Sequence, residues 1–375
     1  MAKQDKTPGI ERYSRPRVDV VAVRGSRITE YFLTVSPRGS DLESMFSAAA
    51  EALRETEAAV VSQEIFGVAN KDGAGAQMLG DFFSAVTWPV TWIEEGCEEE
   101  SARVAIQIWA VAGADVTPVK LRGEVVGSVF ENDHARYCRL GGLAPEDTQA
   151  GNMQQARAVL ELMEEGLEAA GMNFSNVIRT WFYNHQMLDW YGEFNSVRTQ
   201  FFKERGVFDG LVPASTGVGG RNGAGAALMA ECLACVPLTE GVEAKSVASP
   251  LQCPAPTYGS SFSRAVELAT PEMRRLYVSG TASISPDGRS IYVGDVERQV
   301  ERTMEVVEAI LKSRDMAWAD VTRAIAYYKQ AADCPLFWEH CRGLELPEFP
   351  VALIKNDICR DDLLFEIELD AIKPK

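Results

Sequence analysis

Long apolar runs are absent from this 375-residue sequence. No stretch reaches the roughly 18 to 20 residues that a membrane-spanning helix needs. Residues 1–13 are polar and charged and lack the apolar core of a secretory signal. We therefore expect a cytoplasmic protein that does not contact a membrane.

Positive charge is also scarce. The chain has 37 Lys and Arg against 54 Asp and Glu, which gives a formal net charge of −17 and a pI near 4.8. Nucleic-acid binding requires clustered basic residues, so this composition argues against a nucleic-acid partner. If the ligand is an anion, its positive partners must be concentrated locally.

Metal-ligand patterns are weak. The three histidines, His134, His185 and His340, are not spaced as ligand pairs. Eight cysteines without a secretory signal favour free thiols over disulfides. Cys232 and Cys235 form a CxxC in an apolar segment typical of a buried strand, but no second CxxC is present to complete a zinc site. We expect no metal and no other cofactor.

An internal repeat dominates the sequence. Residues 155–183 align without a gap on residues 299–327 at a constant offset of 144 positions (299 − 155 = 144). The repeated unit combines strand patterns with a helix whose apolar positions recur every three or four residues. The first third of the chain contains a fainter copy of the same pattern. Repetition of this kind sets the architecture and places a functional site at the seams between units.

The resulting fold prediction is α+β, with three units at residues 1–115, 125–240 and 253–375. Each unit is a mixed sheet with two helices on one face. The three bare sheet faces pack together as an internal pseudo-trimer and bury a common core. Residues 113–124 and 239–252 are expected to be linkers, and residues 291–293 a short strand.

Several motifs resemble those of the reactive-intermediate deaminase (Rid) superfamily. In the last unit they are residues 262–266, 277–281, 350–352 and 365–368. Residues 179–184, 189–195 and 213–217 are similar to signatures of its chorismatase branch, and the resemblance is strongest over residues 130–374. The resemblance implies a trimer-like arrangement with a cleft at each seam, and an enzyme that hydrolyses chorismate with release of pyruvate.

That activity requires a proton donor for the enolpyruvyl ether. The resemblance assigns this role to Glu366 in the last strand and puts Glu231 in the matching position of the middle unit (366 − 231 = 135). Flanking apolar residues favour the neutral carboxylic acid by desolvation. The alternative is that Glu366, Glu368 and Asp370 alternate along a solvent-facing side of the strand.

A dianionic substrate such as chorismate also needs cations and hydrogen-bond donors, and guanidinium suits carboxylates best. Arg264 is the first candidate, because it lies in a motif that borders the seam in the family. Further substrate-binding candidates are Arg139, Arg198, Lys355, Tyr183, Tyr191 and Thr216, with Ala282 and Cys359 lining the ring pocket.

One departure from the family weakens a deaminase function. Deaminase members have an arginine two residues after a proline in the penultimate strand, where this chain has Ser215 and Ala352. An enamine or imine deaminase and a non-catalytic ligand-binding protein remain as alternatives. We expect one working cleft, between the middle and last units, in a monomer that supplies all three seams. The ring product, a dihydroxycyclohexadiene carboxylate or a hydroxybenzoate, is left open.

Overall fold

The computed structural model describes residues 8–36, 42–67, 74–83, 85–94 and 104–375. Cys97 and the first seven residues of the polar N-terminal segment lie outside these ranges. The described chain contains three six-stranded sheets with the same topology, one for each repeated unit.

The N-terminal unit has its strands in the spatial order β1-β2-β3-β6-β4-β5. Its elements are β1 (Gly9–Arg15), β2 (Val18–Arg24), β3 (Thr29–Val35), α1 (Leu42–Thr56), β4 (Ala59–Phe66), α2 (Ala74–Phe83), β5 (Val90–Ile93) and β6 (Ala105–Ala112).

The middle unit repeats this plan with the order β11-β10-β12-β9-β8-β7. Its elements are β7 (Thr117–Leu121), β8 (Glu124–Glu131), β9 (Ala135–Leu143), α3 (Asn152–Ala169), β10 (Val177–Asn184), α4 (Met187–Glu204), β11 (Ala214–Gly219) and β12 (Leu228–Pro237).

The C-terminal unit has the order β13-β14-β15-β18-β16-β17. Its elements are β13 (Glu243–Val247), β14 (Ala265–Ala269), β15 (Met273–Ala282), α5 (Val296–Ser313), β16 (Val321–Tyr328), α6 (Pro335–Gly343), β17 (Val351–Lys355) and β18 (Phe365–Pro374). In every unit the second helix joins two parallel strands and the other pairings are antiparallel, as a helical crossover requires.

Helix α5 shows how the repeated pattern gives the structure. The Asp295 side chain caps it by accepting a hydrogen bond from the backbone N–H of Arg298 at 3.1 Å. The apolar positions that recur along the helix are buried against the sheet, among them Val300, Met304 and Ile310. The helix predicted from this spacing is confirmed.

Two sequence expectations were wrong. Both supposed linkers contain strands, since β7 pairs with β8 and β13 pairs with β14. The turn between β7 and β8 consists of Arg122 and Gly123, both with positive φ (50° and 92°), which is the backbone of a tight hairpin. Residues 291–293 form no strand, because Tyr292 has a φ of 60°, far from the extended region.

The bare faces of the three sheets form one shared core, as expected. Phe66, Tyr183 and Tyr327, one from each unit, are at most 1% exposed and belong to the same buried cluster. The ring centroids of Phe66 and Tyr183 lie 6.2 Å apart. The internal pseudo-trimer is therefore confirmed by the packing.

Charged side chains are also buried where the sheets meet. Arg323 of the C-terminal unit pairs with Glu368 at 3.0 Å and with Asp370 at 3.2 Å. Arg179 of the middle unit reaches the same Glu368 at 2.6 Å. Arg139 of the middle unit pairs with Glu64 of the N-terminal unit at 2.6 Å. These ion pairs link all three units.

None of the helices in the described ranges combines the length and the apolar character needed to cross a membrane.

The network predicts a large effect for Arg323→Met. Arg323 is 8% exposed, and its loss leaves the buried carboxylates Glu368 and Asp370 short of a counter-ion. Breaking a buried ion pair from one side costs about 3–5 kcal/mol of the free energy of unfolding. Urea denaturation of Arg323→Met and of the control Arg289→Met, whose side chain is exposed, checks this. A loss in Arg323→Met no larger than in the control would contradict the expectation.

Candidate active site

The seam between the middle and C-terminal units is built by the edge strand β11. The backbone N–H of Ser263 donates to the carbonyl of Pro213 at 2.9 Å. The backbone N–H of Ser215 donates to the Ser279 hydroxyl at 2.8 Å. The Asn356 amide donates to the carbonyl of Gly219 at 2.7 Å. These bonds hold the end of β11 beside β15 and leave a cleft between them.

The cleft encloses a cavity of about 160 Å³. Six of the side chains predicted from the sequence line it, namely Tyr191, Arg198, Arg264, Ala282, Cys359 and Glu366. The residues that complete the lining are Asn195, Ser215, Gly217, Ser260, Phe262, Gly280, Ile284 and Arg360. The cleft expected at this seam is therefore present.

Glu366 lies at the inner wall of the cavity on β18 and is 4% exposed. Burial raises the pKa of its carboxyl to about 8, and the negative charge of Glu368 adds to the rise, while Arg179 and Arg264 oppose it. Within the described chain, no hydrogen bond to this carboxyl contributes to the shift. The expected burial of Glu366 is confirmed, and the alternative of a solvent-facing strand was wrong.

Gly280 leaves space for the Glu366 carboxyl. Glu366 pairs in register with Ala282 on the neighbouring strand β15. A Cβ atom at Gly280 would collide with Oε1 of Glu366. The backbone N–H of Gly280 donates to the Thr216 hydroxyl at 3.0 Å, which fixes this strand against the middle unit. Only glycine allows the acid its observed position.

Three guanidinium groups line the same cavity. Arg198 is 1% exposed and donates to Asn195 Oδ1 at 2.6 Å and to the Ser215 hydroxyl at 3.3 Å. Arg264 donates from Nε to the carbonyl of Cys253 at 3.0 Å. Arg360 donates to the carbonyl of Gly288 at 2.9 Å. Three cations and one neutral acid make the cavity suitable for a ligand with more than one negative charge.

Part of the lining is apolar and unreactive. Phe262, Ala282 and Ile284 form it together with Cys359. Burial raises the pKa of the Cys359 thiol to about 12, with a further contribution from Glu366. Cys359 is therefore protonated at neutral pH and contributes shape rather than a thiolate nucleophile.

Four predicted residues lie outside the cavity lining. Thr216 is directed at Glu368 and accepts a hydrogen bond from Arg179 at 2.6 Å. Tyr183 belongs to the shared core. Arg139 is paired with Glu64 and Glu231. Lys355 is half-buried near the end of β17.

The position assigned to Glu231 was wrong. Strand β12 places Glu231 opposite Trp181, and β18 places Glu368 opposite Ile325. Trp181 and Ile325 are equivalent through the 144-residue offset, so Glu231 corresponds to Glu368 (368 − 231 = 137). The residue that corresponds to Glu366 in the middle unit is Met229, which lies opposite Tyr183 as Glu366 lies opposite Tyr327.

Some lining residues were not predicted as site residues. Gly280 and Ser215 stood in motifs that carried the family resemblance, and Asn195 ended another, so a signal was present for them. Arg360 had none, since it lies in a loop that is outside every quoted motif.

Comparison with known proteins finds relatives in sequence and in structure. No protein-family model matches the chain. A chorismatase from Streptomyces hygroscopicus is 28% identical over 222 residues, which cover 52% of this chain and 62% of that protein. A 3-hydroxybenzoate synthase from the same species is 26% identical over 274 residues, 66% of this chain and 76% of the relative. The match thus spans less than two thirds of the first relative.

A solved structure shows the same fold over nearly the whole chain. The crystal structure of a chorismatase has a TM-score of 0.64 and 21% identity, and the superposition covers 91% of this chain and 98% of the other. The threefold arrangement of units is therefore shared with that protein.

The raised pKa of Glu366 predicts a pH-dependent effect of Glu366→Gln on stability. The folded-state pKa is about 8 and the ordinary value is 4.5. Between these pH values the unfolded chain has lost this proton and the folded protein keeps it. Rising pH therefore destabilises the wild type through this group, by at most ~1.4 kcal/mol per pH unit. The variant lacks this loss. The difference in free energy of unfolding, variant minus wild type, should therefore increase with pH between these two values and remain constant at higher pH.

Urea denaturation at a series of pH values measures this difference. Glu348→Gln, which removes an exposed carboxyl at another seam, is the control and should run parallel to the wild type. A constant difference between Glu366→Gln and the wild type from pH 5 to 8 would show that the Glu366 pKa is ordinary.

Proposed function

We propose that this chain belongs to the chorismatase branch of the Rid-like superfamily, and that it protonates the enolpyruvyl ether of chorismate and releases pyruvate; its sequence relatives and its fold support this. The observation that carries the proposal is the environment of Glu366. It is a carboxyl whose pKa is raised to about 8 by burial, and it lines a cavity that also contains three arginines.

The chemistry follows from the protonation state of Glu366. A carboxylic acid with a pKa near the working pH can give its proton and recover it. The proton goes from Glu366 to the terminal methylene carbon of the enolpyruvyl group, and the electrons of the double bond form the new C–H bond. The ether carbon becomes an oxocarbenium ion, which is captured by water.

The second half of the reaction restores the acid. The capturing water loses one proton, and the Glu366 carboxylate is in place to accept it. The hemiketal hydroxyl then loses its proton as its oxygen becomes the carbonyl of pyruvate, the bond to the ring oxygen breaks, and the freed ring oxygen takes up one proton in exchange. Pyruvate leaves, and the ring departs as a dihydroxycyclohexadiene carboxylate. A ring that loses water instead becomes a hydroxybenzoate.

The cations of the cleft have a separate task. Chorismate carries two carboxylates, and planar guanidinium groups pair with carboxylates through two parallel hydrogen bonds. Arg198, Arg264 and Arg360 supply these groups in the lining of the cavity. We assign them to the two substrate carboxylates, with Tyr191 and Ser215 as neutral donors. All of these residues belong to one chain, so we propose that a monomer is sufficient for activity.

The first functional prediction is that the purified protein releases pyruvate from chorismate. The pyruvate is measured in an assay coupled to lactate dehydrogenase. Glu366→Gln keeps the shape of the side chain but cannot supply the proton, so the rate should fall by about 10²–10⁴-fold. The control Glu348→Gln should keep the wild-type rate.

The alternatives give different results in the same experiment. Activity on an iminopropionate with none on chorismate would identify a deaminase. Binding of chorismate without turnover would identify a ligand-binding protein. Chromatography of the ring product decides between the diene and the hydroxybenzoate.

A second prediction concerns Gly280→Ala. The added Cβ atom would displace the Glu366 carboxyl from its position beside β15. A misplacement of about 1 Å in a reacting group costs about a hundredfold in rate, so kcat for pyruvate release should fall by about that factor. The control is Gly343→Ala, because a Cβ atom at Gly343 meets nothing within 4 Å. Equal rates for the two variants would contradict the proposed role of Glu366.

A further inference from the structure

Glu368 lies two residues after Glu366 on β18 and has 0% exposure. Side chains two apart on a strand point to the same face, with their Cα atoms roughly 6.6 Å apart. The two carboxyl groups are thus close neighbours within one low-dielectric region. Only Glu366 lines the cleft, since Glu368 lies deeper, at the junction of the sheets.

The Glu368 carboxylate is saturated with donors. Arg179 reaches it at 2.6 Å and Arg323 at 3.0 Å. The Trp181 indole N–H donates to it at 2.9 Å, and the Thr216 hydroxyl donates as well. Burial penalises its charge, but these arginines and donors outweigh the penalty and lower its pKa below the ordinary value. Glu368 therefore holds a fixed negative charge.

The groups around Glu366 act in opposite directions. Arg179 and Arg264 favour its ionised form, and Glu368 disfavours it more strongly than either arginine favours it. The other titratable groups that face it or share its cavity are Tyr327 on β16, Cys359 in the preceding loop, Tyr191 and Arg198 on α4, and Arg360. Both Tyr327 and Cys359 have pKa values raised by burial and are neutral at pH 7. Among these groups, only Glu368 adds a negative charge that resists loss of the Glu366 proton.

We propose that Glu368 is the positioning residue of this cleft: its buried charge, fixed by Arg179 and Arg323, keeps the proton on Glu366 at the pH where that proton is needed. The inference rests on the proposed function for its catalytic meaning. Its physical content, that one buried carboxylate holds its neighbour neutral, does not depend on the substrate. Two carboxyls with pKa values pushed apart by their surroundings are a recurring basis for acid catalysis.

The middle unit is part of this device. Arg179, Trp181 and Thr216 all come from that unit and act on a carboxylate of the C-terminal unit. Thr216 also accepts the backbone N–H of Gly280, the residue that leaves space for Glu366. The acid is thus prepared only when the seam between the two units is closed.

The experiment is a titration of Glu366 in the folded protein with and without the Glu368 charge. The carbonyl-stretch infrared band of the protonated Glu366 carboxyl is identified by its absence in Glu366→Gln, and its midpoint is followed with pH. In Glu368→Gln the midpoint should fall by about one to three pH units. The alkaline limb of kcat/KM for pyruvate release should move down by the same amount.

A second variant guards against misfolding. Glu368→Gln leaves Arg179 and Arg323 with one partner fewer, whereas the double variant Arg179→Gln, Glu368→Gln removes one charge of each sign. Because Glu368 outweighs Arg179 at Glu366, the midpoint of the double variant should lie between those of the single variant and the wild type. Asp370→Asn is the matched control, since it removes a buried carboxyl of the same strand that lies four residues from Glu366 and is not among the groups that shift the pKa of Glu366.

The outcomes separate the two proposals. A lowered infrared midpoint in a protein that leaves chorismate intact would support the role of Glu368 and end the proposed function. An unchanged midpoint in folded Glu368→Gln, or an equal shift in Asp370→Asn, would overturn the role of Glu368 whether or not pyruvate is released.

Discussion

The structure depends on one buried ionic junction, in which Arg179 and Arg323 hold Glu368. A carboxylate without exposure is costly unless it is paired and fully hydrogen-bonded. The two arginines come from different units, so neither sheet can satisfy Glu368 alone. The same constraint reaches the cleft, because the Glu368 charge that these arginines hold helps to raise the pKa of Glu366. The same buried ion pairs therefore hold the units together and set the charge that acts on Glu366.

The fold was largely readable from the sequence because its helices and central strands repeat with the period of a buried face. The edge strands were missed for a local reason. The β7–β8 turn uses Arg122 and Gly123 where the strong hairpin signals are Asn-Gly and Asp-Gly, so the segment resembled a linker. The prediction at Tyr292 was wrong in the opposite sense. An apolar pattern favoured a strand there, but the positive φ of Tyr292 is incompatible with one. Backbone angles of this kind are set by tertiary context.

The site was only partly predictable. Glu366 could be found from the family resemblance and its apolar flanking residues, whereas strand alternation alone favoured an exposed side chain. Arg139 was misplaced because its partner Glu64 is 75 residues away, and no local pattern shows such a pairing. Glu231 was misaligned because the offset between units falls from 144 to 137 between the repeated segment and the last strand. The register between neighbouring strands gives the correct equivalence of Glu231 and Glu368. Matching sequence motifs between the units does not.

The three seams show why a single acid is compatible with a threefold fold. At the inner position of the last strand, every unit has a hydrogen-bonding side chain in the buried junction: Gln107, Glu231 and Glu368. Two residues outward, where the side chain borders a seam, the units hold Ala105, Met229 and Glu366. The inner position serves the assembly, so each unit needs a polar group there. The outer position serves only its own cleft, and a second buried acid would add the cost of desolvation without adding contacts between units. One seam tolerates the buried acid Glu366 because the neighbouring carboxylate Glu368 is fully paired. This pairing keeps the negative charge on Glu368 fixed.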